Sequence, residues 1–403
     1  MESKRSVRDL AVFGGEPTFQ RDLYVGRPNI PDADRFLDRA RGILDSASLT
    51  NNGKYVRLFE ERLTEWMGVR HCVPIVNGTV ALDLAIRALG MSGEVILPSF
   101  TFIATAHALQ WLGITPVFCD VDPVTHNLDP SRVEELITPR TTGILGVHLW
   151  GRCCDVSSLS GIAQEHGLRL MFDAAHALGC SHRGEMVGNL GDAEVFSFHA
   201  TKFLNTFEGG AVATNDDDIG AKVRSMRNFG FAGFDRVELL GTNGKMNEMC
   251  AAMGVTGLEN LDSIIAHNRS NHELYAIELA GLPDIKLVAY DGDERNNYQY
   301  VVLEVSPSGP ITRDALVKVL HAERVVARRY FYPGCHGMEP YRTLYPEVAE
   351  RLPVTCRLAS SVLALPTGTA VNGDDIRRVC SIIQFAFANG PEISGLLTDA
   401  EAV

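Results

Sequence analysis

The stretch AEVFSFHATKFLNTFEGGAVAT, residues 193–214, places a single lysine between two short apolar segments. We predict strands at 193–196 and 211–214, with Lys202 between them and just before the Gly209–Gly210 pair. Once it has lost its proton, a lysine amine is the usual protein partner of a carbonyl compound in a Schiff base. Burial or a nearby cation lowers the pKa of such an amine. The alternative is a surface lysine in a strand connection, so the remaining chain must decide.

Short apolar segments alternate with helical patterns on the amino-terminal side of this stretch. The helical patterns fall at 55–66, 80–89, 104–111, from 130 onwards and at 157–166. The strands that they separate are predicted at 72–76, 94–97, 115–121, 143–149 and 168–172. With 193–196 and 211–214 the strands number seven. This alternation predicts an α/β fold with a mostly parallel seven-stranded sheet, and ligands on such sheets bind at the carboxyl ends of the strands.

The two ends of the chain differ from this alternating region. Residues 1–24 contain Gly14-Gly15-Glu16-Pro17, which breaks regular structure, and are predicted to form an arm. A large domain is expected over 25–264 and a smaller α+β domain over 265–403. Within and before the small domain, helices are predicted at 247–258, 263–279, 313–323 and 374–387, and strands at 285–288, 298–305 and 325–326.

Composition excludes several classes of function. The 403 residues include 50 acidic and 37 basic side chains, a net charge of -13, which disfavours nucleic-acid binding. No apolar run approaches the ~20 residues of a membrane helix, and the amino terminus lacks an apolar signal core. We therefore expect a soluble, cytoplasmic protein without membrane partners. The nine cysteines show no Cys-x-x-Cys spacing and the histidines no His-Glu-x-x-His pattern, so no metal site is indicated.

Two strand ends carry candidate binding groups. Asn77-Gly78-Thr79-Val80 follows the first strand of the alternating region and opens a helix, whose N-terminus presents free N–H groups to an anion such as phosphate. An ordinary helix cap is the alternative. Phe102 follows the next strand, where its ring would stack on a flat heterocycle, or else pack in the core.

Another strand end carries an acid and a histidine. Asp173 ends the 168–172 strand, and a carboxylate at the end of a buried strand costs free energy unless it is paired. A pyridinium nitrogen is such a partner at pyridoxal phosphate (PLP) sites. His176 would donate to a phenolic oxygen or a substrate hydroxyl. The alternatives are a helix-capping aspartate and a core histidine.

The order of these groups is more informative than any one of them. A phosphate turn, an aromatic ring, an acid and a serine-to-lysine segment each follow a predicted strand, which is the set of parts that a PLP site requires. Competing nucleotide motifs are absent, because there is no G-x-G-x-x-G and Gly244-Lys245 is followed by Met246.

With these groups in this order, the chain resembles the DegT/StrS family of PLP-dependent nucleotide-sugar aminotransferases over nearly its whole length. The matching segments are Asp173-Ala174-Ala175-His176, Ser197 to Lys202, Glu208-Gly209-Gly210 and Gly241 to Glu248. The resemblance implies PLP fold type I, as in aspartate aminotransferase, and a homodimer with shared active sites.

The resemblance also implies a role for each site residue. Lys202 would hold the cofactor covalently and shuttle a proton, and Asp173 would keep the pyridine nitrogen protonated. Phe102 would stack on the ring, and His176 would lie near the cofactor oxygen. The phosphate would be bound by Gly78, Thr79, Val80 and Ser197, with Asn243 from the other subunit. Asn77 departs from the serine that is common before the Gly-Thr pair, where backbone N–H groups would compensate.

The amino-acid sequences of the 202–208 and 241–248 segments most resemble those of enzymes that act on dTDP-4-keto-6-deoxyglucose. The expected reaction transfers an amino group from L-glutamate to that sugar and gives dTDP-4-amino-4,6-dideoxyglucose, as in the desosamine-type pathways of antibiotic biosynthesis. The segment Arg328 to Pro333 would meet the diphosphate and base, or is a solvated basic strand end.

Three alternatives to this function remain. One is a 3-aminotransferase acting on a dTDP-3-keto-6-deoxyhexose. Another is a sugar dehydratase of the same family, which Lys202 disfavours because a histidine replaces the lysine in those enzymes. The third is a non-catalytic PLP-binding regulator, which the lack of a DNA-binding extension and of a basic patch disfavours.

Overall fold

The computed structural model describes residues 4–30 and 32–401. The strands are β1 (Leu23–Tyr24), β2 (His71–Ile75), β3 (Glu94–Pro98), β4 (Thr115–Cys119), β5 (Thr141–Val147), β6 (Arg169–Asp173), β7 (Ser181–His182), β8 (Glu185–Met186), β9 (Ala193–Ser197), β10 (Gly210–Thr214), β11 (Ile285–Leu287), β12 (Val301–Val305), β13 (Val325–Val326) and β14 (Val362–Leu365). The helices are α1 (Ala33–Ser46), α2 (Lys54–Met67), α3 (Gly78–Ala88), α4 (Ile103–Trp111), α5 (Pro130–Val133), α6 (Val156–His166), α7 (Asp217–Met226), α8 (Glu248–Leu258), α9 (Leu261–Leu279), α10 (Arg313–Ala322), α11 (Tyr341–Leu344), α12 (Pro353–Ser361), α13 (Gly373–Ala388) and α14 (Gly390–Glu401).

A seven-stranded sheet forms the centre of the molecule. Its strand order is β2-β10-β9-β6-β5-β3-β4, and all neighbours pair in parallel except β10, which is antiparallel to both β2 and β9. The prediction of a mostly parallel seven-stranded sheet is confirmed. Because six of the strands point the same way, their carboxyl ends meet at one edge, where the start of β10 also lies.

Both faces of this sheet are covered by helices, because its strands are apolar on both sides. In β3, Val95 and Leu97 belong to the apolar cluster that includes α3, α4 and α7, whereas Ile96 belongs to the cluster that includes α2, α6 and α8. Adjacent residues alternate between the two clusters as strand geometry requires. The sheet is therefore rigidly enclosed, and its carboxyl-end edge is a fixed platform for side chains.

The carboxyl-terminal part builds a separate apolar cluster around the antiparallel sheet β11-β12-β14 and the helices α9, α10 and α13. The amino-terminal residues Val7, Leu10 and Phe19 pack in this same cluster, and β1 pairs in parallel with β13. Helix α9 spans residue 265, the predicted start of the small domain. The domain boundaries therefore stay predictions.

A buried carboxylate fixes the amino-terminal arm to this part of the fold. Glu323, which follows α10, accepts hydrogen bonds from Ala11 N (2.8 Å) and from both N and Oγ1 of Thr18 (2.7 and 2.6 Å). Lys4 Nζ lies 2.9 Å from the same carboxylate, whose side chain is fully buried. The arm thus has specific polar attachments as well as apolar packing.

Four elements of the carboxyl-terminal part have no counterpart in the sequence prediction, namely α11, α12, β14 and α14. Helix α12 runs into strand β14 with no glycine or proline between them, so local pattern does not separate the two.

The strand predicted at 298–305 begins only at Val301, because Tyr298 adopts a left-handed backbone (φ 49°) that interrupts extended structure. In the described residues, no helix is long and apolar enough to cross a bilayer.

Candidate active site

The carboxyl-end edge of the large sheet opens onto a cavity of about 450 Å³. Seven of the predicted site residues line it, namely Gly78, Thr79, Phe102, Asp173, His176, Ser197 and Lys202. They come from four different strand ends, which only the parallel sheet brings together. The carboxyl-terminal part contributes Tyr300, Arg328, Tyr330 and Phe331 to the same cavity.

Lys202 lies in a turn after β9, where its backbone N–H donates to His199 O at 2.8 Å. Its Nζ donates to the hydroxyl of Tyr300 at 3.3 Å. Burial lowers the pKa of Lys202 from 10.5 to about 8, and the negative charge of Asp173 acts in the opposite direction. A substantial fraction of this amine is therefore unprotonated near neutral pH, as a nucleophilic amine must be.

Asp173 is the last residue of β6 and is buried. Its Oδ2 accepts a hydrogen bond from Thr105 Oγ1 at 2.9 Å, and its Oδ1 accepts one from Ala175 N at 3.1 Å. Burial raises the pKa of Asp173, against the two hydrogen bonds and the charge of Lys202. Each carboxylate oxygen can accept a second hydrogen bond, so Asp173 can still receive an N–H from a ring in the cavity.

His176 is held as a neutral donor. The backbone N–H of Trp150 donates to its Nδ1 at 3.3 Å, so the ring proton of neutral His176 lies on Nε2. Burial, and then the charge of Lys202, place the pKa of His176 well below its ordinary value. The ring also stacks on the indole of Trp150, with centroids 5.9 Å apart. An Nε2–H group fixed in this way suits a phenolic oxygen.

The turn at the start of α3 offers backbone donors to an anion. Gly78 and Thr79 are the first residues of the helix, so their N–H groups have no intrahelical acceptor. A Cβ on Gly78 would lie 3.1 Å from Ser197 Cβ, which places the serine hydroxyl beside these donors. The side chain of Asn77 caps the helix by accepting from Val80 N at 2.8 Å. The phosphate contact of Val80 stays a prediction.

The Gly209–Gly210 pair at the start of β10 has a steric cause. A Cβ on Gly210 would lie 2.7 Å from both Asn77 C and Gly78 N, closer than real Cβ atoms approach. A Cβ on Gly209 would lie 2.0 Å from Thr206 Oγ1. Glycine is therefore required at these positions for β10 to pass close beneath the turn that begins α3.

Of the predicted residues, Phe102 lies at the rim of the cavity and Asn243 lies outside it. Phe102 caps the N-terminus of α4 and its ring is 58% exposed, in position to cover a flat ligand from one side. Asn243 is exposed and is not among the residues that line the cavity of its own chain. Its contact with the phosphate of the other subunit stays a prediction.

Sequence reasoning missed Tyr300, which lines the cavity, Trp150, which holds His176, and Thr105, which donates to Asp173; all three act through tertiary packing. No local motif marks them, because their partners are distant in the chain. His199, which had no predicted role, lines the cavity with Nδ1 2.9 Å from Thr201 Oγ1 and Nε2 3.6 Å from Glu208 Oε1.

A buried lysine amine, an acid that can face a ring nitrogen, a neutral histidine and an anion-binding helix start define the site of a PLP-dependent aminotransferase of fold type I. The model of the DegT/DnrJ/EryC1/StrS aminotransferase family matches residues 32–384. The chain belongs to this family and is a PLP-dependent aminotransferase, as the resemblance implied.

Individual relatives show how far the likeness extends. The chain is 36% identical over 365 residues to dTDP-4-amino-4,6-dideoxy-D-glucose transaminase of Shigella dysenteriae, over 91% of this chain and 99% of that protein. It is 34% identical to GDP-perosamine synthase of Caulobacter vibrioides, over 90% and 97% of the two chains. The crystal structure of DesI with its TDP-sugar product superposes with a TM-score of 0.92 at 49% identity, over 98% of this chain and 100% of DesI.

Proposed function

We propose that this aminotransferase transfers an amino group from L-glutamate to dTDP-4-keto-6-deoxyglucose and so forms dTDP-4-amino-4,6-dideoxyglucose. The observation that carries the proposal is a cavity that unites Lys202, Asp173 and the 77–79 turn in a chain 49% identical to DesI. DesI was solved with a TDP-sugar product, and the Shigella relative is a dTDP-4-amino-4,6-dideoxy-D-glucose transaminase.

The cofactor supplies an aldehyde for amine capture and an electron-withdrawing ring, and the protein supplies the proton transfers and the orientation. Lys202 is suited to accept a proton from the donor's α-carbon and return it, because its pKa of about 8 lies near neutral pH. The hydroxyl of Tyr300, 3.3 Å from the amine, keeps Lys202 directed into the cavity.

The remaining site residues hold and polarise the ring. Asp173 would accept the ring N–H and keep the nitrogen positively charged, while the Nε2–H of His176 would donate to the phenolic oxygen. The N–H groups of Gly78 and Thr79 and the hydroxyl of Ser197 would bind the phosphate. Phe102, which is exposed at the cavity, would cover one face of the heterocycle.

Arg328 supplies the positive charge for the nucleotide sugar. Its side chain lines the cavity with its guanidinium 5.5 Å from the centroid of the Tyr330 ring, and no ion pair to a carboxylate is found for it within the described part of the chain. Because the protein has a net charge of -13, a diphosphate must be bound by a local positive charge. A guanidinium without a carboxylate partner provides one. The neighbouring Tyr330 and Phe331 also line the cavity, where their rings stack on each other and on Trp150.

The proposal includes a homodimer with shared active sites. The loop 228–243 exposes apolar side chains, among them Phe234 with 100% exposure, Val237 and Leu240. Such a loop on a monomer surface favours burial against another chain. Asn243 ends this loop, which supports its predicted contact with the partner's phosphate. The glutamate donor and the cytoplasmic location likewise stay predictions.

The decisive experiment incubates the PLP-loaded protein with L-glutamate and a panel of dTDP- and UDP-linked keto sugars and locates the new amine by NMR. Amination at C4 of the dTDP-4-keto-6-deoxy sugar is expected. A product aminated at C3 would refute the proposed substrate and leave the aminotransferase class intact. Turnover should be lost in Lys202→Ala and kept in Lys222→Ala, which alters an exposed lysine on α7.

A further inference from the structure

Two buried threonines form a chain of hydroxyl groups that ends on Asp173. Thr105 Oγ1 lies 2.9 Å from Asp173 Oδ2, and Thr101 Oγ1 lies 3.0 Å from Thr105 Oγ1. Both threonines are buried, with exposures of 2% or less. The chain runs from the loop after β3 through the first turn of α4 to the end of β6. It therefore links two strand ends of the cavity from behind the acid.

The direction of donation along this chain follows from counting protons. A carboxylate only accepts, and a threonine hydroxyl has one proton to donate. Thr105 gives its proton to Asp173, so Thr101 must be the donor to Thr105. A donor that is itself hydrogen-bonded in this way is polarised and makes a stronger bond to the carboxylate.

Thr105, in the first turn of α4, bonds differently from Thr64 of α2 and Thr256 of α8. A threonine in a helix commonly donates to the carbonyl four residues earlier. Thr64 does so to Glu60 O at 2.7 Å, and Thr256 does so to Ala252 O at 2.8 Å. Thr105 instead directs its proton away from its own helix and onto Asp173. Its hydroxyl therefore orients the acid and adds no bond within α4.

We propose that Thr105 is a positioning residue for the PLP ring, which acts by fixing the orientation of the Asp173 carboxylate, and that Thr101 supports Thr105 in this role. Thr105 holds Oδ2 and Ala175 N holds Oδ1, so both oxygens of the carboxylate are restrained and its remaining acceptor positions are directed before a ring enters the cavity. The inference rests on the proposed contact of Asp173 with the ring nitrogen.

The test compares three single variants for PLP affinity, measured by titrating cofactor-free protein and following visible absorbance. Thr105→Val removes the hydroxyl at nearly constant shape and should raise the PLP dissociation constant roughly 10-fold, the usual effect of one charged hydrogen bond. Thr105→Ser keeps a hydroxyl and should restore most of the affinity. Thr101→Val should have a smaller effect, because it acts through Thr105.

Thr355→Val is the matched control. Thr355 is fully buried and donates to Asp120 Oδ1 at 2.7 Å, the same kind of bond outside the cavity. Its loss should reduce thermal stability without changing PLP affinity. If Thr355→Val and Thr105→Val weakened PLP binding equally, the effect would be one of general stability and the proposal would be wrong.

A double-mutant cycle with Asp173→Asn tests the route of action. Thr105→Val should weaken PLP binding in the native background. In the Asp173→Asn background it should change PLP binding less than about 2-fold, because no carboxylate remains there for the hydroxyl to orient. Equal effects in both backgrounds would overturn the proposal. In steady state, kcat should fall while KM for glutamate stays constant, because Thr105 touches no substrate.

The outcomes also separate this inference from the proposed function. If native protein neither binds PLP nor converts it with glutamate, the proposed function fails. If native protein does both and Thr105→Val binds PLP as tightly as native protein with the same absorbance, only the positioning role fails.

Discussion

The lowered pKa of Lys202 leads to a quantitative prediction about amine reactivity in the cofactor-free protein. With a pKa of about 8 in place of 10.5, about one quarter of the Lys202 amines are unprotonated at pH 7.5, against about one in a thousand for an ordinary lysine. The expected advantage is roughly 200-fold in reactive amine. The physical cause is burial, which disfavours the ammonium form.

The assay is brief acetylation of the cofactor-free protein with a trace of reagent at a series of pH values, read residue by residue by mass spectrometry. Modification of Lys202 should be half-maximal near pH 8 when it is scaled to its own plateau at high pH. The exposed Lys222 in the same sample is the internal reference, so differences in reagent cancel. A midpoint for Lys202 within about one unit of 10.5 would refute the reasoning.

A second perturbation tests the cause. Asp173 opposes the effect of burial, because its negative charge favours the ammonium form of Lys202. Asp173→Asn removes that charge, so the midpoint should move to lower pH. An upward movement would show that another group controls this amine.

Three further predictions concern the surroundings of the site. His148 and Glu194 form a fully buried pair at 3.1 Å, so His148→Leu should lower the free energy of unfolding by about 3–5 kcal/mol in urea titrations, and an unchanged value would contradict the pairing. Gly210→Ala would place a Cβ 2.7 Å from the backbone nitrogen that opens α3, so PLP affinity should fall and stability drop by about 1–3 kcal/mol, whereas Gly161→Ala, with open space around it, should do neither. Tyr300→Phe should reduce the single-turnover rate constant roughly 5- to 10-fold without weakening PLP binding, since it removes one hydrogen bond to the lysine amine. An unchanged rate constant would exclude that role.

The sequence predicts the sheet well because its strands are short apolar runs bounded by helical patterns. All seven predicted strands are present, and the parallel arrangement follows from their alternation with helices. The prediction is poorer after residue 326. There α12 and β14 follow one another without turn residues, so nothing local separates a buried helix from a buried strand.

Some residues of the site can likewise be predicted from the sequence, and others cannot. The groups that follow strands, such as Gly78, Asp173 and Lys202, can be found from sequence because parallel strands end at one edge. Tyr300 and Thr105 cannot, since their roles depend on which distant side chain each one meets. The sequence offered an ordinary helix cap at this turn only as an alternative to anion binding, and the structure shows that the side chain of Asn77 does cap α3, which changes which N–H groups remain for an anion.

The attachment of the amino-terminal arm to Glu323 has a practical consequence for handling the protein. A chain shortened to begin after Thr18 would leave a fully buried carboxylate without its lysine and without three of its hydrogen-bond donors. Removing the partners of a buried charge typically costs about 3–5 kcal/mol, a large part of the stability of most domains. Trimming of the arm by proteases should therefore be slow in the native state, and once it has occurred it should cause aggregation of the whole chain rather than yield a smaller active enzyme.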